Sequence, residues 1–153
     1  MRVKLRIMTK NKHKVLVEGP IPPQMVADSI GKHNSKHDIG AHSIFLGQVR
    51  ADGPEGKPVA AIEYTAYDDM AEKEFYEIRE FIFDKYNDLT CMHVYHSLGE
   101  VKAGEISLFV FVSAIHRKQA IDACEEMVNL IKEKVPIWKK EQFEDSTHQW
   151  VSN

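Results

Sequence analysis

Two hydrophobic periods run along this chain, and the switches between them divide it into short elements. Residues 3–8 (VKLRIM) alternate apolar and basic, as a strand with one buried face does. KVLVEG at 14–19 predicts a second short strand that ends at Gly19-Pro20. Pro22 and Pro23 then open a helix through PPQMVADSIGKH, with Met25, Val26 and Ile30 at helical spacing. After a polar loop at 34–39, GAHSIFLGQVR (40–50) predicts a strand. ADGPEGK (51–57) predicts a loop, and PVAAIEYTAY (58–67) a strand expected to pair with the preceding one. Residues 69–86 form the clearest amphipathic helix, with Met70, Phe75, Ile78 and Ile82 on its apolar stripe and Asp68 or Asp69 as the expected cap. LTCMHVYHSLG (89–99) predicts a strand and EVKAGE a turn. ISLFVFVSAI (106–115) is nearly continuous apolar, as a strand buried on both faces would be. A second long helix runs from about 117 to 134, with Ala120, Cys124, Met127, Val128 and Ile131 on one stripe. Pro136 ends it, because the residue before a proline avoids helical geometry. The tail is short and mixed, with HQWVS as a final strand. Loops of hairpin length among these elements predict an α+β fold with a mixed, mostly antiparallel sheet and two to three helices.

Composition narrows this picture modestly. A length of 153 residues fits one domain, 1–153. Such a domain buries about 70% of the surface its unfolded chain exposes. The formal net charge of −3 argues against a general nucleic-acid or membrane-surface binder, so any cationic site must be a local concentration of Lys and Arg. Two cysteines, Cys91 and Cys124, are too few for a disulfide framework. With no secretory leader and no membrane-length apolar run, they predict a cytoplasmic protein.

Three segments concentrate cations near element ends: Gln48-Val49-Arg50, Ile115-His116-Arg117, and Lys132 to Lys140. Arg50 is either a solvated strand end or an anion clamp, since guanidinium offers phosphate a planar fork. His116 and Arg117 stand at a strand-to-helix junction, where backbone N–H groups and the helix dipole favour an anion. The bland alternative is a capping or surface pair. Lys132 lies four residues after Val128, on the edge of the apolar stripe. There it either snorkels into water or enters a partly closed pocket that activates its amine. Lys139 lies beyond Pro136 and converges with Lys132 only if the chain folds back. Trp138 is expected in the core, and so is Cys124. Cys91, His93 and His96 raise the question of a metal, but on a strand His96 points away from the other two.

Taken in order, GAHSIFLGQVR, IEYTAYDDMAEKE, LGEVKAGEISLFVFVSAIHRKQAIDACEEMVNLIKEKVPIWKKE and the terminal QWV resemble the molybdopterin synthase large (catalytic) subunit family over roughly residues 10–152. AIHR before a helix and KEKVPIWKKE at its end are the most specific pieces. The resemblance implies an α/β hammerhead fold and a homodimer. It implies a heterotetramer with a small ubiquitin-like sulfur-carrier subunit whose C-terminal Gly-Gly thiocarboxylate delivers sulfur. The implied substrate is cyclic pyranopterin monophosphate and the product molybdopterin with its dithiolene. No cofactor or metal is implied for this step.

By the same resemblance Gln48, Val49, Arg50, His116, Arg117, Lys132, Lys139, Lys140 and Glu141 contact substrate, and Lys132 and Lys139 are the catalytic candidates. One departure stands out: many members carry His-Arg where this chain has His96-Ser97. Two other readings compete, a phosphate-ligand or carrier-binding module without catalysis and a small metalloprotein built on Cys91, His93 and His96.

Overall fold

A fourteen-residue strand, β4 (Leu89–Lys102), organises the molecule by pairing with different neighbours along its length. The computed structural model describes residues 14–152. The remaining elements, in chain order, are β1 (Leu16–Glu18), α1 (Pro23–Lys32), β2 (Ala41–Gln48), a short 3-10 turn (Pro54–Gly56), β3 (Val59–Ala66) and α2 (Asp68–Lys85). After β4 come β5 (Ile106–Ala114), α3 (Arg117–Lys134), β6 (Ile137–Phe143) and β7 (His148–Ser152). The strand predicted at residues 3–8 lies outside the described residues.

The first half of β4 runs antiparallel to β5 (Met92 opposite Val112, His96 opposite Leu108). Its middle accepts β1 in parallel (Leu16 opposite His96). Its end runs antiparallel to β3 (Tyr64 opposite Gly99). The sheet order is β2-β5-β4-β3-β6-β7, so the sheet is mixed and mostly antiparallel, as expected. Gly99 sits at the change of partner with φ +80, and a Cβ there would stand 2.8 Å from Glu18 Oε2. The positive φ favours glycine, while the Glu18 carboxylate, at the end of a flexible side chain, could move aside.

In the sheet and α2 the sequence expectation fails in three places and is half right in a fourth. β3 does not pair with β2. β2 instead lies on the outer edge of β5, and β3 pairs with β4 and β6. Chain neighbours joined by a loop need not be sheet neighbours. Here Val49 N–H donates to Glu105 O at 3.0 Å and holds the end of β2 against the β4–β5 turn. EVKAGE is half strand and half turn: β4 continues through Lys102, and Ala103, Gly104 and Glu105 make the expected turn into β5. Neither Asp68 nor Asp69 caps α2: Tyr67 is the N-cap, without a side-chain bond. Both aspartates lie in the first turn, where their charge meets the positive end of the helix dipole. Met70 is 60% exposed, and the buried stripe is Ala71, Phe75, Ile78, Ile82 and Phe83.

α2 and α3 cover one face of the sheet. Ala120, Ala123, Cys124, Met127, Val128 and Ile131 of α3 pack with that stripe and with Met92, Val94, Val110 and Val112 in one core. β5 is buried on both faces, as its apolar run predicts. Phe109 and Phe111 point to the other side, where Ile21, Met25 and Val26 cover them. No helix among the described residues is long and apolar enough to cross a membrane.

Candidate active site

The site begins where α3 stops. Pro136 holds Val135 extended (φ −79, ψ 127), and the chain reverses into β6. β6 then lies antiparallel to β3, with Tyr64 opposite Lys139 and Glu63 opposite Lys140. Side chains alternate along a strand, so Ile137, Lys139, Glu141 and Phe143 face the helices while Trp138 and Lys140 face away. Burial agrees: Ile137 and Phe143 are buried, and Trp138 is 41% exposed. Trp138 is therefore not the core residue expected; it stands edge-on to Tyr67 at 5.3 Å between centroids. Lys140 pairs with Glu63 at 2.9 Å and lies over the Trp150 ring.

The fold-back brings the two motif lysines together. Burial lowers the pKa of Lys139, the charges of Lys132 and Arg50 lower it further, and Glu141 pulls the other way. Two cations, Lys132 from the end of α3 and Arg50 from the loop after β2, and one carboxylate, Glu141 of β6, thus act on Lys139. Arg50 is exposed, and its 3.5 Å contact with the exposed Asp52 is too loose and wet to neutralise it. Gln48 is also exposed, while the Val49 side chain lies in the core. Val49 uses its N–H on Glu105 O and its carbonyl on Gly104 N, and so anchors the Arg50 segment.

A buried wall backs the lysines. His96 is 4% exposed, and Tyr64 meets its ring edge-on at 5.2 Å. The Tyr64 hydroxyl donates to Ser107 Oγ at 3.1 Å. Burial pushes the His96 pKa down to about 4; its hydrogen bond to the Ser97 carbonyl opposes this, and the charges of Lys132 and Lys139 add to it. Tyr64, Ser107 and His96 were missed as site members from sequence. The period of β4 carried the signal for His96, which shares the inward parity of Met92 and Val94. At Ser97, what reaches His96 is a backbone carbonyl that any residue supplies. Cys91 and His93 lie on the opposite face of β4, so the three candidate metal ligands do not converge.

His116 and Arg117 stand elsewhere. Fifteen residues of helix separate Arg117 from Lys132, about 22 Å along the axis at 1.5 Å per residue. The junction is also filled: Asp88 Oδ2 accepts the His116 backbone N–H at 2.8 Å and lies 3.1 Å from its Nδ1. An open depression of about 420 Å³ lies near the outer face of the second half of the sheet, with Lys102, Lys140 and Gln142 on its walls and neither catalytic candidate among them.

Known proteins carry the same fold and much of the same sequence. The MoaE protein family model matches residues 17–134. The molybdopterin synthase catalytic subunit of Aspergillus niger is 39% identical over 145 residues, covering 95% of this chain and 77% of the relative. That of Drosophila willistoni is 44% identical over 115 residues, 74% of this chain; the match spans only 31% of that longer relative. The crystal structure of molybdopterin synthase from Staphylococcus aureus superposes with a TM-score of 0.80 at 32% identity, covering 93% of this chain and 98% of that one.

Proposed function

The chain belongs to the MoaE protein family, and on that premise we propose that it is the catalytic subunit of a molybdopterin synthase. It transfers sulfur from the C-terminal Gly-Gly thiocarboxylate of a small ubiquitin-like carrier subunit to cyclic pyranopterin monophosphate, and forms the dithiolene of molybdopterin. The observation that carries this reading is the 39% identity to a molybdopterin synthase catalytic subunit over 95% of this chain, and the charges of Arg50 and Lys132 felt at Lys139 are consistent with it.

The chemistry needs such a cluster. A thiocarboxylate and a cyclic phosphate are both anions, and their approach is repulsive unless cations surround them. Arg50 suits the phosphate oxygens, because its planar fork can make paired hydrogen bonds. Attack of the thiocarboxylate sulfur on carbon forms a C–S bond and breaks a C–O bond of the phosphate ring, and charge develops on the leaving oxygen. A preorganised ammonium stabilises that charge. Water then cleaves the resulting thioester to free the carrier as its carboxylate. We assign the principal catalytic role to Lys132, and charge stabilisation and orientation of the thiocarboxylate to Lys139. Lowered by its surroundings, the Lys139 amine gives up a proton more readily than a solvated lysine. Glu141 sits beside it on the same face of β6 and helps orient it.

His116 and Arg117 are too far along α3 to meet the same substrate from the same chain. If they hold its phosphate, a second copy supplies them, which fits a homodimer of this subunit and a heterotetramer with two carriers. We place the enzyme in the cytoplasm, with no nucleic acid and no membrane among its partners.

The test is product formation from cyclic pyranopterin monophosphate and a thiocarboxylated carrier. Turnover by the wild type, with a large loss in Lys132→Ala, supports the assignment. A wild type that binds the carrier and produces nothing is a binding module.

A further inference from the structure

Arg50 leaves β2 on a loop, so groups outside the strand must hold it. The outgoing limb is tied at two points. Val49 donates to Glu105 O at 3.0 Å and accepts from Gly104 N at 2.8 Å. The Ala51 carbonyl accepts the Val59 N–H at 2.7 Å, so the residue after Arg50 hangs on the return limb, residues 57–59. The two limbs also touch. A Cβ on Gly53 would stand 2.1 Å from the Lys57 carbonyl oxygen and 3.0 Å from Val59 Cγ2. Whatever fastens the return limb therefore fastens the outgoing one.

The return limb is stitched in turn to the β6–β7 turn. Val59 lies opposite Phe143, and the Glu144 N–H donates to the Pro58 carbonyl at 3.1 Å. Lys57 adds a charged stitch. Its ammonium donates to Thr147 Oγ1 at 2.6 Å, lies 3.2 Å from Asp145 Oδ2, and stands 4.5 Å from the centre of the Phe143 ring. The carboxylate it meets is itself fixed, because Asp145 Oδ1 accepts both the backbone N–H and the hydroxyl of Thr147. The Thr147 hydroxyl thus accepts from Lys57 and donates to Asp145, a short chain of hydrogen bonds with one direction.

We propose that Lys57 is a positioning residue for Arg50: by fastening the loop to the β6–β7 turn, it holds the arm that presents the guanidinium to the anionic substrate, without touching that substrate itself. The inference rests on the assignment of Arg50 to the substrate phosphate. A guanidinium on a loose arm must be ordered when the substrate binds, and the lost entropy is subtracted from affinity. On a fastened arm that ordering is done in advance. The effect falls on binding, because charge that develops later in the reaction is met by the lysines. Lys57 therefore acts on Kd and KM and leaves kcat alone. Its size is modest, since the side chains of Lys57 and Asp145 are 38% and 55% exposed. Exposed pairs reach a factor of about five at their best.

The test compares the full chain with Lys57→Met, which keeps the apolar stem and removes the ammonium. Calorimetry with cyclic pyranopterin monophosphate gives Kd, turnover with thiocarboxylated carrier gives kcat, and amide hydrogen exchange of the 51–59 segment reads the loop without substrate. Lys57→Met should weaken binding about fivefold, speed exchange at the Val59 amide by a similar factor, and leave kcat unchanged. Lys57→Arg, which still donates to Thr147 and Asp145, should restore both. Asp145→Asn should act in the same direction, and the double variant should be no worse than the stronger single one, because both break one contact. Asp145→Asn also serves alone if Lys57→Met does not fold. Unchanged exchange in a folded Lys57→Met protein overturns the proposal, and so does faster exchange with unchanged Kd, which leaves Lys57 as a stabiliser of the turn. A wild type that binds the pterin but turns nothing over sinks the proposed sulfur transfer, and the ratio of Kd values still decides Lys57. A wild type that does not bind it overturns both.

Discussion

Lys132 and Lys139 lie on opposite sides of Pro136, one on the last turns of a helix and the other on a strand, and the charge of each is felt at the same buried His96. The proline turns a seven-residue separation into a spatial pair. Because Lys132 lowers the Lys139 pKa, we predict that Lys132→Ala raises it toward the ordinary lysine value. The same substitution should reduce sulfur transfer by on the order of 10²–10³-fold, the usual loss when one preorganised charge stabiliser is removed. Amine titration and single-turnover kinetics on one preparation check both. A Lys139 pKa that stays put would show that the amines do not share a site.

Acid should destabilise the protein through His96. Its pKa in the folded chain is about 4, against an ordinary 6.5, so between those values the unfolded chain binds the extra proton. Stability is complete above pH 6.5 and falls as pH drops toward 4, by roughly 3 kcal/mol from this residue. Urea unfolding at a series of pH values measures the slope, and His96→Gln should flatten it. An equal slope in both proteins would locate the acid sensitivity elsewhere.

Asp88 closes the start of α3. Its Oδ2 takes the His116 N–H at 2.8 Å, an acceptor otherwise lacking at that helix end. Asp88→Ala should cost about 1 kcal/mol, as loss of a helix cap does, and lower Tm by about 2–4 °C for a chain of this size. A calorimetric scan would show it; an unshifted Tm would mean that water replaces the carboxylate at no cost.

The buried face of α2 separates Phe75 from Met70. Phe75 is 2% exposed and Met70 60%. Phe75→Ala should cost about 3–5 kcal/mol, and Met70→Glu should change stability by no more than about 0.5 kcal/mol. Denaturant midpoints for the two variants discriminate, and comparable losses would contradict the packing.

Gly40 tests the approach of two backbones. A Cβ built there would stand 2.2 Å from the Ile115 carbonyl oxygen, and main chain cannot swing away as a side chain can. Gly40→Ala should therefore destabilise by about 1–3 kcal/mol, the range of a small overpacking strain. A melting point equal to the wild type would refute the contact.

The amino-acid sequence by itself determined most of the elements, because their causes are local. The 3.6-residue period of Ala120, Cys124, Met127, Val128 and Ile131 and the block at Pro136 bound α3 correctly, and the apolar run of β5 implied burial on both faces. β6 could not be read this way. Its inward positions hold Lys139 and Glu141 where a core strand would hold apolar residues, since that stretch of the face lines the site, and the alternation that announces a strand disappears. Tertiary structure alone decided that β3 joins β4 and β6 instead of β2, because pairing is settled by burial competing across the whole sheet. It also decided that Lys132, Lys139, Arg50 and His96 meet, while His116 and Arg117 remain a helix length away. A residue's type and spacing state what it can do; which charges it faces depends on how the chain returns on itself.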